Sequence, residues 1–307
     1  MRVAVTGATG TVGSAVVREL RGRGDEVVVL SRDPERAWER LPAGVEAHAW
    51  PDPKSGPPPP EALAGADAVV NLLGESVAQR WTANTRREIR DSRVLGTQNL
   101  VAGLRAADPP PTVLVSGSAS GFYGAHGDET VDEGAPPAPD PDDFLARVVV
   151  AWEREARAAE ELGTRVALMR TGVVLAPDGG ALEKMLPPFK LGVGGPVAGG
   201  GQYVPWVHLD DVAGAFAFAL ATDAASGPIN VAAPEPVTNR ELSKTLGRVL
   251  GRPSFMPVPG FAVKLLYGEM ASIVTGGVRM VPARLERLHY HWRRPYLENA
   301  LKAAVGR

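Results

Sequence analysis

The 307-residue chain contains no cysteine. A disulfide framework, a thiolate nucleophile and a Cys-ligated zinc or iron–sulfur site are thereby excluded. Charge of one sign is missing as well. The 33 Lys+Arg residues face 35 Asp+Glu, a net of −2, so no positive field draws the chain to nucleic acid. Long apolar runs are absent: the longest nearly apolar stretch, Val212 to Ala221, falls far short of the roughly 18 to 20 residues a spanning helix requires. The opening MRVAVTGATG has no basic start leading into an apolar leader core, so a cytoplasmic chain without a membrane partner is expected. Lysine is scarce, six residues among the 33 basic ones. What remains is ordinary globular material, 44% hydrophobic and 22% charged. A chain of this length buries roughly 75% of its unfolded surface, enough to fold without staples.

Short β-branched runs alternate with helical patterns through the first two thirds. The runs are Val3 to Thr6, Glu26 to Leu30, Val45 to Ala49, Ala68 to Leu72, Thr112 to Ser116 and Val166 to Arg170. Between them, 13–23, 82–107 and 143–162 carry apolar residues at helical spacing. Alternation of this kind predicts βαβ units: an α/β fold with a doubly wound parallel sheet of the Rossmann type. The stretch 51–60, PDPKSGPPPP, reads as a solvated loop. After Leu175 the pattern decays into Pro/Gly-rich sequence, with six glycines between Gly192 and Gly201 that read as a lid or a floppy connector. A helix at 208–221 and a strand at 228–232 are predicted to return to the main sheet, and a helical tail is predicted over 282–305. The expected division is a dinucleotide domain over 1–175, rejoined by 209–233, and a smaller, discontinuous substrate region over 176–208 and 234–307.

The first strand runs directly into Thr6-Gly7-Ala8-Thr9-Gly10-Thr11-Val12-Gly13 and then a helix. In a turn of this spacing the first glycine permits the tight bend, the second lets a pyrophosphate approach the backbone, and the third lets the helix pack on the strand. The helix N-terminus then faces the anion. Nineteen residues past Gly13, where a carboxylate would grip the ribose of NAD, stand Ser31 and Arg32. Arg32 suits a 2′-phosphate, so NADP (NADPH) is the expected cofactor; the other reading leaves Arg32 solvated and gives Asp33 the NAD role.

With these residues the chain resembles the extended short-chain dehydrogenase/reductase superfamily. Its TGATGTVG, Asn71-Leu72-Leu73-Gly74, Ser116-Gly117-Ser118-Ala119, Arg170 to Leu175 and His208 to Val212 resemble five signatures of that group. More narrowly it is similar to an epimerase-family branch, through Asn71 to Glu75, Arg80-Trp81, Ile89 to Arg93, Gly121 to Gly124, Arg170 to Leu182, Met185 to Phe189, Leu191 to Pro196 and Val281 to Leu285. The resemblance covers essentially the whole chain. It implies a cofactor site that includes Leu72, Gly74 and Arg93 beside the glycine turn, hydride exchange with a small-molecule carbonyl or hydroxyl substrate, and a homodimer.

One part of the resemblance fails. The superfamily's chemistry rests on Tyr-x-x-x-Lys, in which an ammonium lowers the phenol pKa from about 10. None of the five tyrosines has lysine four residues on, and Leu145 and Val149 fall where the pair belongs. Three candidates for the lost chemistry remain. Ser118 would hydrogen-bond a substrate oxygen at its strand end, Tyr123 would donate a proton, and Glu75, just beyond the fourth strand, would act as a general acid or base or merely cap a loop. Arg80 and Trp81 would hold an anionic or planar substrate, or simply pack. His289 and His291 are spaced to share one face of a strand, and Asp210 and Asp211 read as a helix cap. An enzyme of the oxidoreductase or epimerase kind is expected; the alternative is a regulatory protein that binds NADPH without turnover.

Overall fold

The computed structural model describes residues 1–306. Seven strands make one wholly parallel sheet: β1 (Arg2–Thr6), β2 (Glu26–Ser31), β3 (Glu46–Ala49), β4 (Ala68–Asn71), β5 (Val113–Ala119), β6 (Arg165–Thr171) and β7 (Gly227–Val231). Their spatial order is β7-β6-β5-β4-β1-β2-β3. Order therefore reverses between β1 and β4, which opens a crevice beyond their carboxyl ends.

Both faces of the sheet are covered, which is why its strands read as unbroken apolar runs rather than as alternating ones. Val27, Val28 and Val29 are all fully buried. Val3, Val5 and Val29 point to the side where Val16, Val17 and Leu20 of α1 (Thr11–Gly22) join Phe216 and Leu220 of α6 (Leu209–Ala221). Ala4, Val69 and Leu114 point to the other side, against Leu100 and Leu104 of α3 (Ala83–Ala106) and Ala156 of α4 (Phe144–Arg157). A short α2 (Pro34–Arg40) follows β2.

The remaining sequence builds a smaller layer from α5 (Gly180–Lys190), α7 (Asn239–Leu250) and Leu297–Ala304, packed through Leu182, Phe189, Leu242, Leu246 and Leu301. Three two-residue or three-residue strand pairs tie it down, including Val173–Leu175 alongside Trp206–His208. The chain returns to the main sheet through α6 and β7, where β7 runs parallel to β6.

Four expectations are corrected. The proline-rich loop is not merely solvated: Pro58 is buried, lying where a Cβ on Gly103 of α3 would stand 2.7 Å away, and Asn99 donates to the Pro53 carbonyl at 2.8 Å. The glycine-rich connector is not floppy. Val197 bridges to Val258, Val193 N donates to Pro188 O at 3.0 Å, and Gly195 leaves no room for a side chain, since a Cβ there would meet Met256 O at 2.0 Å. The tail is two helices, Ala283–Arg287 and Leu297–Ala304, because His289 turns at φ 59° and Pro295 precludes helix just before the second. For the same reason His289 and His291 lie on no strand.

The segment between those two helices fastens the fold. Arg293 N and Arg294 N donate to the carboxylate of Asp211 on α6 at 2.6 and 2.9 Å, and the Arg293 guanidinium grips Glu19 of α1 with two bonds of 2.6 and 2.8 Å. Hydrogen bonding from Arg293 holds the Glu19 carboxyl below its usual 4.5. A carboxyl whose pKa is depressed by folding stabilises the fold above its unfolded value and loses that contribution as acid protonates it. Glu19→Gln is therefore expected to lower the urea midpoint at pH 7, and the gap between variant and parent is expected to close as the pH is taken below about 4. Urea titrations of both proteins at a series of pH values check this.

Candidate functional site

At the crevice β1 passes through Gly7 into α1. Gly7 sits at φ +64°, and a Cβ on it would lie 2.2 Å from the Leu72 carbonyl oxygen at the end of β4. A Cβ on Gly13 would lie 2.2 Å from Gly7 O and 2.8 Å from the Ala8 Cα. Only glycine fits at either position. Gly10 occupies the N-cap of α1 with no side-chain hydrogen bond, and no acidic residue stands in the first turn. The free N–H groups and positive end of that helix thus face the crevice unneutralised. Thr9, Thr11 and Val12 are half-buried around them.

A knot of buried polar side chains holds the turn in register. Asn71 Oδ1 accepts from the Thr6 hydroxyl at 2.9 Å, and its amide nitrogen donates to Thr97 Oγ1 at 2.9 Å and Ser116 Oγ at 3.2 Å. Thr6 Oγ1 in turn accepts from Leu72 N at 3.0 Å. Gly74 then brings the backbone under Arg93, whose guanidinium a Cβ on Gly74 would meet at 2.9 Å. Arg93 donates to the carbonyls of Glu75 and Ile89, both at 3.0 Å, and lies over the Trp152 ring. Burial pushes its pKa down to about 10, so it is still a cation at neutral pH. The structure thus brings Thr6, Gly7, Leu72, Gly74 and Arg93 together at one edge of the sheet.

At the end of β2, Ser31 is half-buried and its hydroxyl donates to Asp33 O at 2.8 Å. Asp33 caps α2, accepting from Arg36 N at 3.1 Å. That carboxylate is committed to the helix, whereas the adjacent Arg32 is exposed and forms no ion pair among the described residues. A further group arrives from the distant loop before α5. Gly179, at φ +92°, lies where a Cβ would meet Thr11 Oγ1 at 2.6 Å, so residues 177–180 lean on the start of α1.

The three catalytic candidates part company. Glu75 is half-buried just beyond β4, its backbone N–H bound to Ser92 Oγ at 2.9 Å and its carboxylate accepting from Ser76 N at 3.1 Å. Ser118, 5% exposed, donates its hydroxyl proton to Glu153 Oε1 at 2.6 Å. Glu153 is clasped by Arg170 through bonds of 2.8 and 2.9 Å, and Arg170 Nη1 donates to the Tyr123 hydroxyl at 3.0 Å. Tyr123 does not line the crevice: it is fully buried, donates to Asn230 Oδ1 at 2.7 Å, and has its pKa pushed up by burial. A phenol so placed is no proton donor to a bound molecule. Behind it Asn230 N donates to Glu133, which also receives Arg284 N. Val149 is buried and Leu145 half-buried on α4.

The Glu153–Arg170 pair is what the sequence reading missed. Its signal was an arginine closing the apolar run Val166–Met169 of a strand paired on both sides, where an unpaired charge would not be tolerated. Arg80 is exposed, while Trp81 stacks edge-on against Phe144, ring centres 5.2 Å apart. The cap of α6 is His208 and not the expected aspartates: its Nδ1 accepts from Asp210 N at 3.1 Å, while Asp211, in the first turn, holds the tail.

A doubly wound sheet with an uncapped glycine turn at its switch point defines a dinucleotide-binding fold. The NAD dependent epimerase/dehydratase family matches residues 3–232, and the chain belongs to that family. Residues 258–304 match a domain of unknown function, DUF1731. An Arabidopsis thaliana protein described as a chloroplastic homologue of epimerase family protein SDR39U1 is 38% identical over 99% of this chain and 87% of its own length. The human epimerase family protein SDR39U1, whose crystal structure contains NADPH, superposes with a TM-score of 0.87 at 34% identity over 100% of this chain and 99% of its own. The fold is shared more widely: UDP-glucose 4-epimerase of Thermus thermophilus, in complex with NAD, gives 0.76 at 23% identity over 100% of this chain and 98% of its own.

Removing one partner of a buried ion pair leaves the other charge uncompensated. Glu153→Ala is expected to cost about 3–5 kcal/mol of stability. Ser118→Ala, which leaves Glu153 and Arg170 paired, should cost only about 1–2 kcal/mol. Equilibrium urea unfolding of the two variants measures the contrast.

Proposed function

We propose that the chain is an NADPH-dependent oxidoreductase acting on a small carbonyl or hydroxyl compound. The observation that carries the cofactor choice is the division of labour after β2: Asp33 is spent as a helix cap while Arg32 stands free. A carboxylate directed at a ribose 2′-hydroxyl would select NAD; a free guanidinium at the same strand end suits a 2′-phosphate. The human relative crystallised with NADPH supports the same choice. The cradle fits the rest of a dinucleotide, since the space denied to side chains at Gly7 and Gly13 and the unneutralised N-terminus of α1 are what a pyrophosphate needs.

Bound there, the nicotinamide supplies hydride transfer. The chain's own part is to bind, orient and manage a proton. Arg32 holds the 2′-phosphate; Thr9, Gly10, Thr11 and Val12 surround the pyrophosphate; Leu72, Gly74 and Arg93 bound the crevice on the β4 side. Ser118 donates its one hydrogen bond to Glu153, so its oxygen is left to accept a hydrogen bond from a substrate hydroxyl rather than to donate one to a carbonyl. Glu75, the candidate with a carboxylate at the crevice edge, exchanges the proton.

A second reading is favoured by one observation: apolar Leu145 and Val149 occupy the places of the superfamily's Tyr and Lys. On that reading the chain binds NADPH and reports its presence without turnover.

The test uses NADPH deuterated at nicotinamide C4 with small-molecule extract from the source cells, and mass spectrometry to find a labelled product. Label transfer that Glu75→Gln abolishes supports the oxidoreductase; tight NADPH binding with no transfer under any condition supports the second reading. In either case Arg32→Ala is expected to weaken NADPH binding about tenfold or more and to leave NADH nearly unchanged, read by isothermal titration.

A further inference from the structure

Two stretches share an unusual composition. Residues 184–209 and 242–268 contain no Asp or Glu, yet they hold four of the six lysines, Lys184, Lys190, Lys244 and Lys264, together with Arg248 and Arg252. In space they run side by side. Gly192 approaches Pro253, Gly195 lies on the Met256 backbone, Val197 bridges to Val258, and Gly260 faces Ala198, after which α8 (Gly260–Tyr267) begins.

The double track exposes large apolar side chains that nothing covers. Leu191 is 79% exposed and Val193 48% on one rail; Phe255 is 76% and Met256 47% on the other; Phe261 at 76% and Leu265 at 79% are one turn apart on α8. Scattered singly such residues mean little, but a contiguous group marks an interaction surface. Lys190, Arg252 and Lys264 are exposed among them and form no ion pair among the described residues. The acid that ends the second stretch, Glu269, is paired with Arg86 at 3.0 Å.

We propose that this face docks on an anionic lipid surface. Charge complementarity selects the occupant. A second copy related by a two-fold axis would set cation against cation. Side chains more than three-quarters exposed protrude from the surface, as needed to enter the headgroup layer, whereas a peptide partner would need a groove. Aromatic and aliphatic tips flanked by lysine and arginine are the composition of an interfacial anchor, the stems buried and the charges at the phosphates. The mode is peripheral, since no helix of the described residues is long and apolar enough to cross a membrane.

The test is cosedimentation of the full chain with vesicles of phosphatidylcholine alone or with about 30 mol% phosphatidylglycerol, whose negative surface attracts basic patches. The protein is expected to pellet with the anionic vesicles only, and to be released as NaCl rises. Phe261→Asp/Leu265→Asp should abolish pelleting, and neutralising Lys190, Arg252 or Lys264 to Gln should each weaken it about fivefold. Trp38→Asp, at an aromatic 56% exposed on α2, should leave it unchanged, and thermal unfolding shows that each variant is folded. Failure to pellet with anionic vesicles, or pelleting that none of the patch variants alters, overturns the proposal. So does a homodimer in sedimentation equilibrium that Phe261→Asp/Leu265→Asp dissolves, which would make the occupant a second copy.

Discussion

Everything at the crevice depends on the side chain of Asn71. An amide has two donors and two acceptor sites, and here all are committed, to Thr6, Leu73, Thr97 and Ser116. Through these bonds one residue joins β1, β4, β5 and α3 where the strand order reverses. The sheet splays at a switch point, and its backbone groups there lose part of their neighbours. A satisfied buried network restores rigidity in a region of low dielectric, where its bonds are strong and its failure costly. The close approach of Gly7 to the Leu72 carbonyl follows from that register, and with it the placing of the α1 N-terminus.

The sheet was legible in the sequence because parallel strands buried on both faces leave a signal in composition alone: Glu26–Ser31 and Ala68–Asn71 carry it without alternation. The glycine turn was legible for a steric reason, since its spacing reflects space that a Cβ would fill. What was not legible was pairing across distance. Ser118 and Tyr123 were selected as polar residues at a strand end, but Glu153 and Arg170 turn both inward, and those partners lie 35 and 47 residues away along the chain. Glu75 was placed correctly at the edge of the sheet because only its own strand decides that position. The proline-rich loop and the glycine-rich connector misled for the opposite reason. Composition reported their lack of helix and strand, and it carried no information on the backbone packing of Pro58 against Gly103 or Gly195 against Met256.

The family relationship and the local chemistry pull in different directions, and the buried network explains how. In place of a phenol lowered by an ammonium, this chain has a serine whose proton is directed into a carboxylate fixed by arginine. Such an arrangement orders the strand ends rigidly and commits the serine's hydrogen to the protein interior. The absence of the dyad is therefore accompanied by a serine whose hydroxyl hydrogen is already bonded to Glu153.

The clasp by which Arg293 and Arg294 hold Glu19 and Asp211 has a consequence for synthesis. Its two ends are 274 residues apart, so the contact between the first helix and the tail has one of the greatest sequence separations the chain allows. While the ribosome is still at work, α1 has a sheet to lie on but lacks both α6 and the segment that locks them together. The apolar flank of α1 gains its cover when α6 emerges, and the polar clasp across the two helices closes only when the last segment follows. A truncation that spared every residue of the crevice, yet removed residues 290–307, would leave the nucleotide-binding half without its final fastening.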